Sequence, residues 1–140
     1  MSLHRLTDTA AECPPAPIGV LVVDDQSAVR EGLARLIACG AAPLRYVTTV
    51  ATGSEALSAA ARLRPDVVVL DADLDGEDGL ALIPQLASTA DVLVLTSHGD
   101  AGTRARAAGL GAAAFIEKHQ PAADLLGAIT RLGHRSNVGG

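Results

Sequence analysis

Residues 67–80 read VVVLDADLDGEDGL, three valines and a leucine running straight into Asp71 and a loop crowded with acids. A continuous apolar run rich in β-branched residues fits a strand covered on both faces of a parallel sheet. Asp71 then sits at the carboxyl end of that strand. Ligands and reacting groups collect at that edge of open α/β sheets, so a carboxylate there points to chemistry more than to structure. Three further apolar runs end in the same way. IGVLVV (18–23) stops at Asp24 and Asp25, VLVL (92–95) at Thr96 and Ser97, and AAFIE (113–117) at Lys118. The runs deliver carboxylates, hydroxyls and an ammonium to one rim.

Between the apolar runs the period changes to that of helices. Ser27 is placed to cap a helix in which Val29, Leu33, Leu36 and Ile37 recur at helical spacing up to Gly40. A short strand is expected from Tyr46 to Val50. TGSEAL then opens a second helix to Leu63, with Ser54 as its cap, and Arg64-Pro65-Asp66 turns the chain into the central strand. Asp78 is placed to cap a third helix that Pro84, by removing a donor in its interior, should kink or shorten. Asp100 caps a fourth, expected to run through Ala108 and be stopped by Gly109 and Gly111. The fifth strand covers Ala113 to Glu117. A last helix starts near Pro121, buries Leu125, Ile129 and Leu132, and is expected to stop at Gly133. Five strands alternating with five helices predict an α/β fold: a doubly wound, five-stranded parallel sheet, flavodoxin-like, in the order 2-1-3-4-5. That order makes strands one and three neighbours and places Asp24, Asp25 and Asp71 side by side.

At 140 residues the chain is expected to form one domain over 18–132. Residues 1–17 lack periodicity and end in a proline cluster, which suits a flexible or vector-derived extension, and 133–140 (GHRSNVGG) read as the start of a linker or tail. With 49% hydrophobic residues but only Tyr46 and Phe115 aromatic, the core must be packed from Ala, Val, Leu and Ile. A formal charge of -5 with clustered acids argues against a nucleic-acid surface in this chain. Cys13 and Cys39 have no paired spacing and no cleavable signal peptide precedes them, so a reduced, cytoplasmic setting is expected. No apolar run approaches the roughly 20 residues that span a bilayer. His4, His98, His119 and His134 share no metal-binding spacing.

Three carboxylates converging at one rim repel one another, raising the pKa of at least one unless a cation lies between them. Magnesium suits such a site, since it takes hard oxygen ligands and is usually held by one or two carboxylates plus phosphate oxygens. Lys118 adds a charge that can hold an anion, and Thr96 a hydroxyl donor. An aspartate beside a metal, a hydroxyl and an ammonium is equipped to accept a phosphoryl group. Each residue alone has an ordinary reading: Asp24 or Asp25 a helix cap, Thr96 a strand-end hydroxyl, Lys118 a surface charge, Phe115 core. Their joint placement at strand ends decides for chemistry. Arg104 and Arg106 read as a solvated helix face.

The Asp24-Asp25 pair, Asp71 followed by Gly76 and Asp78-Gly79, Thr96-Ser97, and Phe115 three residues before Lys118 stand in one order. In that order the chain resembles, over about 18–132, the receiver domain of two-component response regulators. The resemblance implies that Asp71 is the phosphoacceptor and that Asp24, Asp25, Asp71 and the backbone carbonyl of Asp73 bind Mg2+. Thr96 and Lys118 would grip the phosphoryl oxygens, with Ser97 small enough to leave room. Phe115 would be the aromatic switch that turns inward when Thr96 moves. A sensor histidine kinase would be the donor, the partner after phosphorylation a second copy, and promoter DNA would be reached only through an output domain outside this chain. By the resemblance the domain is not an enzyme beyond its own phosphorylation and dephosphorylation. Asp75 stands where a proline is usual. Lys118 is followed by His119, with Pro121 three residues on, which resembles the NarL/FixJ (LuxR-type) subfamily more than the OmpR type. By the same resemblance Asp73 and His98 occupy the variable positions that in that family tend to tune the phosphoryl lifetime.

Other readings use the same loop. Asp71-Ala-Asp73-Leu-Asp75-Gly76 opens like a calcium-binding EF-hand, but the twelfth position, where a glutamate is needed, is Leu82. The run ending in Asp71-x-Asp73 also resembles a haloacid dehalogenase-like phosphatase with Asp71 as nucleophile, although the second acidic pair such enzymes need after the lysine lies before it here. A stand-alone receiver acting by protein contacts is the alternative to a transcription regulator.

Overall fold

The computed structural model describes residues 16–40 and 43–139, the side chains of 136–139 excepted. The expected N-terminal extension, with His4 and Cys13, lies outside the described residues but for Ala16 and Pro17. Five strands form one parallel sheet: β1 (Ile18–Val23), β2 (Leu44–Val50), β3 (Val67–Asp71), β4 (Asp91–Thr96) and β5 (Ala114–Glu117), in the order β2-β1-β3-β4-β5. Helices α1 (Ser27–Ala38), α2 (Gly53–Leu63), α3 (Ile83–Ala87), α4 (Ala101–Leu110) and α5 (Ala122–Gly139) fill the connections. The expected architecture and strand order are present.

Every residue of β1 and β3 is buried, as their unbroken apolar runs require. Alternation along the strands divides the core in two. Leu21, Val23, Val68, Leu70, Val92 and Val94 pack with Ala56, Ile83, Leu86 and Ala107 on the α2–α3–α4 face. Val20, Val22, Val67, Val69, Leu93 and Leu95 pack with Ile37, Leu125 and Ile129 on the α1–α5 face. Each fully buried Val or Leu contributes about 1.5–3 kcal/mol relative to exposure, so the sheet centre is the most firmly held part of the molecule. In-register pairing of Val23 with Leu70 and of Asp71 with Leu95 brings the ends of β1, β3 and β4 to one edge.

Several helix boundaries differ from expectation, each for a local reason. Gln26, not Ser27, is the N-cap of α1, and its own N–H is taken by Asp24 Oδ1 at 2.9 Å. Thr52, not Ser54, caps α2, with Glu55 closing a capping box: Thr52 Oγ1 accepts from the Glu55 N–H while Glu55 Oε1 accepts from the Thr52 N–H. Asp78 caps a 3-10 turn over Gly79–Leu82, and α3 begins only at Ile83. Pro84 therefore sits in the first turn of α3, where its missing N–H leaves nothing unpaired. Gly109 lies inside α4, which ends at Gly111 in a left-handed conformation (φ 112°). Gly133 does not stop the last helix, which continues to Gly139. A Cβ at Gly133 would lie 2.4 Å from Ile18 Cδ1, so this glycine serves the close crossing of α5 over β1. Among the described residues no helix is long and apolar enough to cross a membrane.

Candidate functional site

The edge formed by the ends of β1, β3 and β4 gathers the buried polar side chains of the core: Asp24, Asp71 and Thr96, at 1%, 3% and 2% exposure. Asp24 is pinned on every side. Its N–H donates to Val50 O at 3.2 Å, its carbonyl accepts from Arg30 Nη1 at 2.9 Å, and Oδ1 accepts from the Gln26 N–H. Its Oδ2 accepts from Lys118 Nζ at 3.3 Å. The same ammonium lies 3.5 Å from Asp71 Oδ2, and Asp71 Oδ1 accepts from the Asp73 N–H at 3.1 Å. One lysine thus bridges two buried carboxylates from β1 and β3, held there by its own N–H on Thr96 O at 2.7 Å.

Asp25 is half-buried and completes a trio: carboxylate oxygens of Asp24, Asp25 and Asp71 all lie within 4.8 Å of one another. Three hard anionic donors and no sulfur or imidazole fit magnesium rather than a softer ion. The Asp73 side chain is exposed and stays outside this trio. None of the described histidines belongs to a metal-compatible group, and Cys39 is exposed and free. The EF-hand reading fails here. Its ligands would be Asp71, Asp73 and Asp75, whereas the Asp71 carboxylate gathers with Asp24 and Asp25, and the loop after β3 forms a small hairpin of Asp73–Leu74 against Glu77–Asp78.

Burial is the first cause that pushes the Asp71 carboxyl above its ordinary value, and the nearby Asp24 charge adds to it. The Asp73 N–H and the Lys118 ammonium oppose this without cancelling it. Desolvation, more than the mutual repulsion expected from sequence, accounts for the perturbation. Backbone geometry keeps the site compact. A Cβ on Gly79 would stand 2.4 Å from Asp71 O, so only glycine lets the acidic loop return so closely over the strand end.

Thr96 Oγ1 accepts from the His98 N–H at 3.1 Å and lies 3.4 Å from His98 O, its hydroxyl turned to the β4–α4 loop. Ser97 is exposed. Phe115 is half-buried, with Arg104 Cζ 4.6 Å from its ring centroid. Arg106 makes a two-pronged ion pair with Asp78. Neither arginine contact, nor the Arg30 brace on Asp24, was anticipated; each joins residues whose proximity depends on how a helix is rotated against the sheet.

The response regulator receiver domain family matches residues 20–130, and the chain belongs to that family. It is 44% identical over 113 residues to a protein-glutamate methylesterase/protein-glutamine glutaminase of Anaeromyxobacter dehalogenans, covering 78% of this chain and 32% of that protein. It is 36% identical over 124 residues to the response regulator MprA of Mycobacterium sp. (strain KMS), covering 86% of this chain and 53% of that protein. Among solved structures, a LuxR-family two-component response regulator from Aurantimonas sp. superposes with TM-score 0.77 at 28% identity, over 84% of this chain and 85% of that one. The receiver domain of NarL from Mycobacterium tuberculosis gives 0.76 at 25% identity, over 85% and 98%. The chain spans about half the length, or less, of these curated relatives. It is a receiver domain of the two-component type.

Proposed function

We propose that Asp71 is the phosphoacceptor, taking a phosphoryl group from the phosphohistidine of a sensor histidine kinase in the cytoplasm. The observation that carries this reading is the buried Asp71 carboxylate, set beside Asp24 and Asp25 and 3.5 Å from the Lys118 ammonium. A carboxylate oxygen of Asp71 attacks phosphorus, the bond from phosphorus to the donor imidazole nitrogen breaks, and that nitrogen leaves with the electron pair. Asp24, Asp25, Asp71 and the Asp73 carbonyl would hold magnesium, which would supply charge neutralisation for the phosphoryl oxygens. Lys118 exchanges its Asp71 contact for a phosphoryl oxygen. Thr96 gives up His98 for another, the small Ser97 leaves space, and Phe115 follows Thr96 as the switch.

The phosphoryl group adds roughly two negative charges and new acceptor oxygens, enough to bias the surface that carries Thr96, α4 and β5. The domain changes nothing but itself, and its output is control of a partner: a second copy of the phosphorylated chain and, in the whole protein, a DNA-binding output domain beyond these residues. That the curated relatives extend well past the matched region supports a further domain. A gene ending at Gly140 would instead leave a stand-alone receiver acting by protein contacts.

Intact mass after incubation with acetyl phosphate, on the natural chain and on Asp71→Asn, with and without magnesium, tests the proposal. One phosphoryl group that needs both Asp71 and magnesium and is released slowly is expected. Rapid multiple turnover of phosphate esters would replace the reading with a phosphatase. No adduct under any condition would leave a receiver fold that works without phosphorylation.

A further inference from the structure

Helix α4 has a small apolar anchor, since Ala107 alone among its residues is fully buried and only Leu110 joins it, half-buried against the core. A helix that hides so little apolar surface depends on its polar contacts for a defined position. Two arginines supply them, to different elements. Arg106 donates from Nη1 and Nη2 to Asp78 Oδ1 and Oδ2 at 3.2 and 2.6 Å, tying α4 to the hairpin that follows Asp71. Arg104 lays its guanidinium on the Phe115 ring, tying the helix to β5. A pocket of about 180 Å3, lined by Asp73, Asp78, Thr96, His98, Thr103 and Arg106, joins the first of these contacts to the loop that holds the Thr96 hydroxyl.

We propose that Arg104 and Arg106 form a two-point latch, Arg106 on Asp78 and Arg104 on Phe115, that holds α4 in the arrangement in which Thr96 is paired with His98. The strength of the latch then sets how readily the domain switches. This rests on the reading of Asp71 as phosphoacceptor and of Thr96 and Phe115 as the responding pair. Thr96 cannot turn to a phosphoryl oxygen without releasing His98, the loop that carries His98 leads directly into α4, and the Phe115 ring cannot turn inward without leaving Arg104. Both arginine contacts are exposed to solvent, where a cation on an aromatic face or a single ion pair is worth about a two- to fivefold change in an equilibrium. Contacts of that size hold a resting state yet yield to the doubly charged group. Because both act on one short helix, loosening one weakens the other, and their effects will not multiply independently.

Phe115 is the only phenylalanine of the chain, so incorporation of 4-fluorophenylalanine yields a single fluorine resonance at the switch. The probe is beryllofluoride with magnesium, a phosphoryl mimic, titrated into the natural chain, Arg106→Gln, Arg104→Gln and the double variant, with the melting midpoint of each recorded. Arg106 is paired with Asp78 and not stacked on the ring, so a response there reports a change carried from the Asp78 contact. In Arg106→Gln we expect the free-state resonance to move toward the saturated position of the natural chain, and half-saturation to fall about two- to fivefold. The double variant should gain less than the product of the single effects. Coincidence of Arg106→Gln with the natural chain, or a higher half-saturating concentration, overturns the latch. A natural chain that takes a phosphoryl group on Asp71 but leaves the fluorine signal unmoved also overturns it while sparing the phosphoacceptor reading. A natural chain that neither responds to beryllofluoride nor forms the adduct overturns both.

Discussion

Asp66 and Asp71 stand five residues apart along the same segment of chain, one just before β3 and one at its end, yet they are set to opposite tasks. At the amino edge of the sheet Asp66 Oδ2 accepts from the Gly19 N–H at 2.8 Å and from Arg45 Nη1 at 3.1 Å. Its own N–H and carbonyl join Gly19 and Asp91 of the neighbouring strands. Asp91 in turn pairs with Arg135 from α5 at 3.0 Å. Each acid at that edge meets a guanidinium with solvent access. At the carboxyl edge Asp24 and Asp71 share one ammonium with Asp25 close by, and Asp71 is almost wholly buried. The same side chain stitches strands where a guanidinium in reach of solvent answers it, and has its pKa pushed up where burial outweighs the N–H and ammonium that answer it.

The sharpest way to break this contrast is to remove the shared cation. Lys118→Met leaves two buried carboxylates facing each other without compensation and should cost about 3 kcal/mol, read as a fall in the urea midpoint. Added magnesium should restore much of that loss, and to a greater extent than it stabilises the natural chain. Asp66→Ala is expected to cost about 2 kcal/mol, because the buried Gly19 N–H loses its acceptor, while phosphoryl uptake by intact mass stays as it was. Loss of uptake in that variant would mean that the two edges are not independent. Gly133→Ala probes the amino edge from the helix side: the added methyl drives into Ile18, and after the gain in helix propensity a net loss of about 1 kcal/mol should remain, with site chemistry intact.

The smallest effect carries the opposite sign. Because burial raises the Asp71 pKa, the native state holds that proton more tightly than the unfolded chain does. Its contribution therefore favours the fold at low pH and is lost as pH rises from the ordinary carboxylate value through the raised one. Asp71→Asn should thus melt about 2–4 °C higher than the natural chain at neutral pH, with the gain shrinking toward zero in acid. A lower midpoint at neutral pH would show that the Lys118 contact outweighs desolvation.

Much of the fold and site was legible because it is written locally. Apolar runs such as VVVL and IGVLVV decide that a segment is a buried strand, and the polar residue that ends each run must then emerge at the same edge of a parallel sheet. That reasoning brings Asp24, Asp25, Asp71, Thr96 and Lys118 together from the ends of four strands. The cap of α2 was equally readable, since Thr52-Gly-Ser-Glu55 has capping-box spacing, but Ser54 offers the same hydroxyl and was preferred to it.

What lay beyond reach depends on how finished elements pack. Gly133 has the composition of a helix stop, and only the crossing of α5 over Ile18 makes it a contact glycine. Arg106 and Asp78 are separated by 28 residues, and the pairing of Arg104 with Phe115 needs a particular rotation of α4. By itself the sequence determined which segments form the parallel sheet and at which edge the carboxylates and Lys118 gather, because hydrophobic period and strand ends are properties of neighbouring residues. Tertiary structure alone decided which charges answer one another, because an ion pair forms between side-chain tips, whose separation follows from the packing of whole helices rather than from any local pattern.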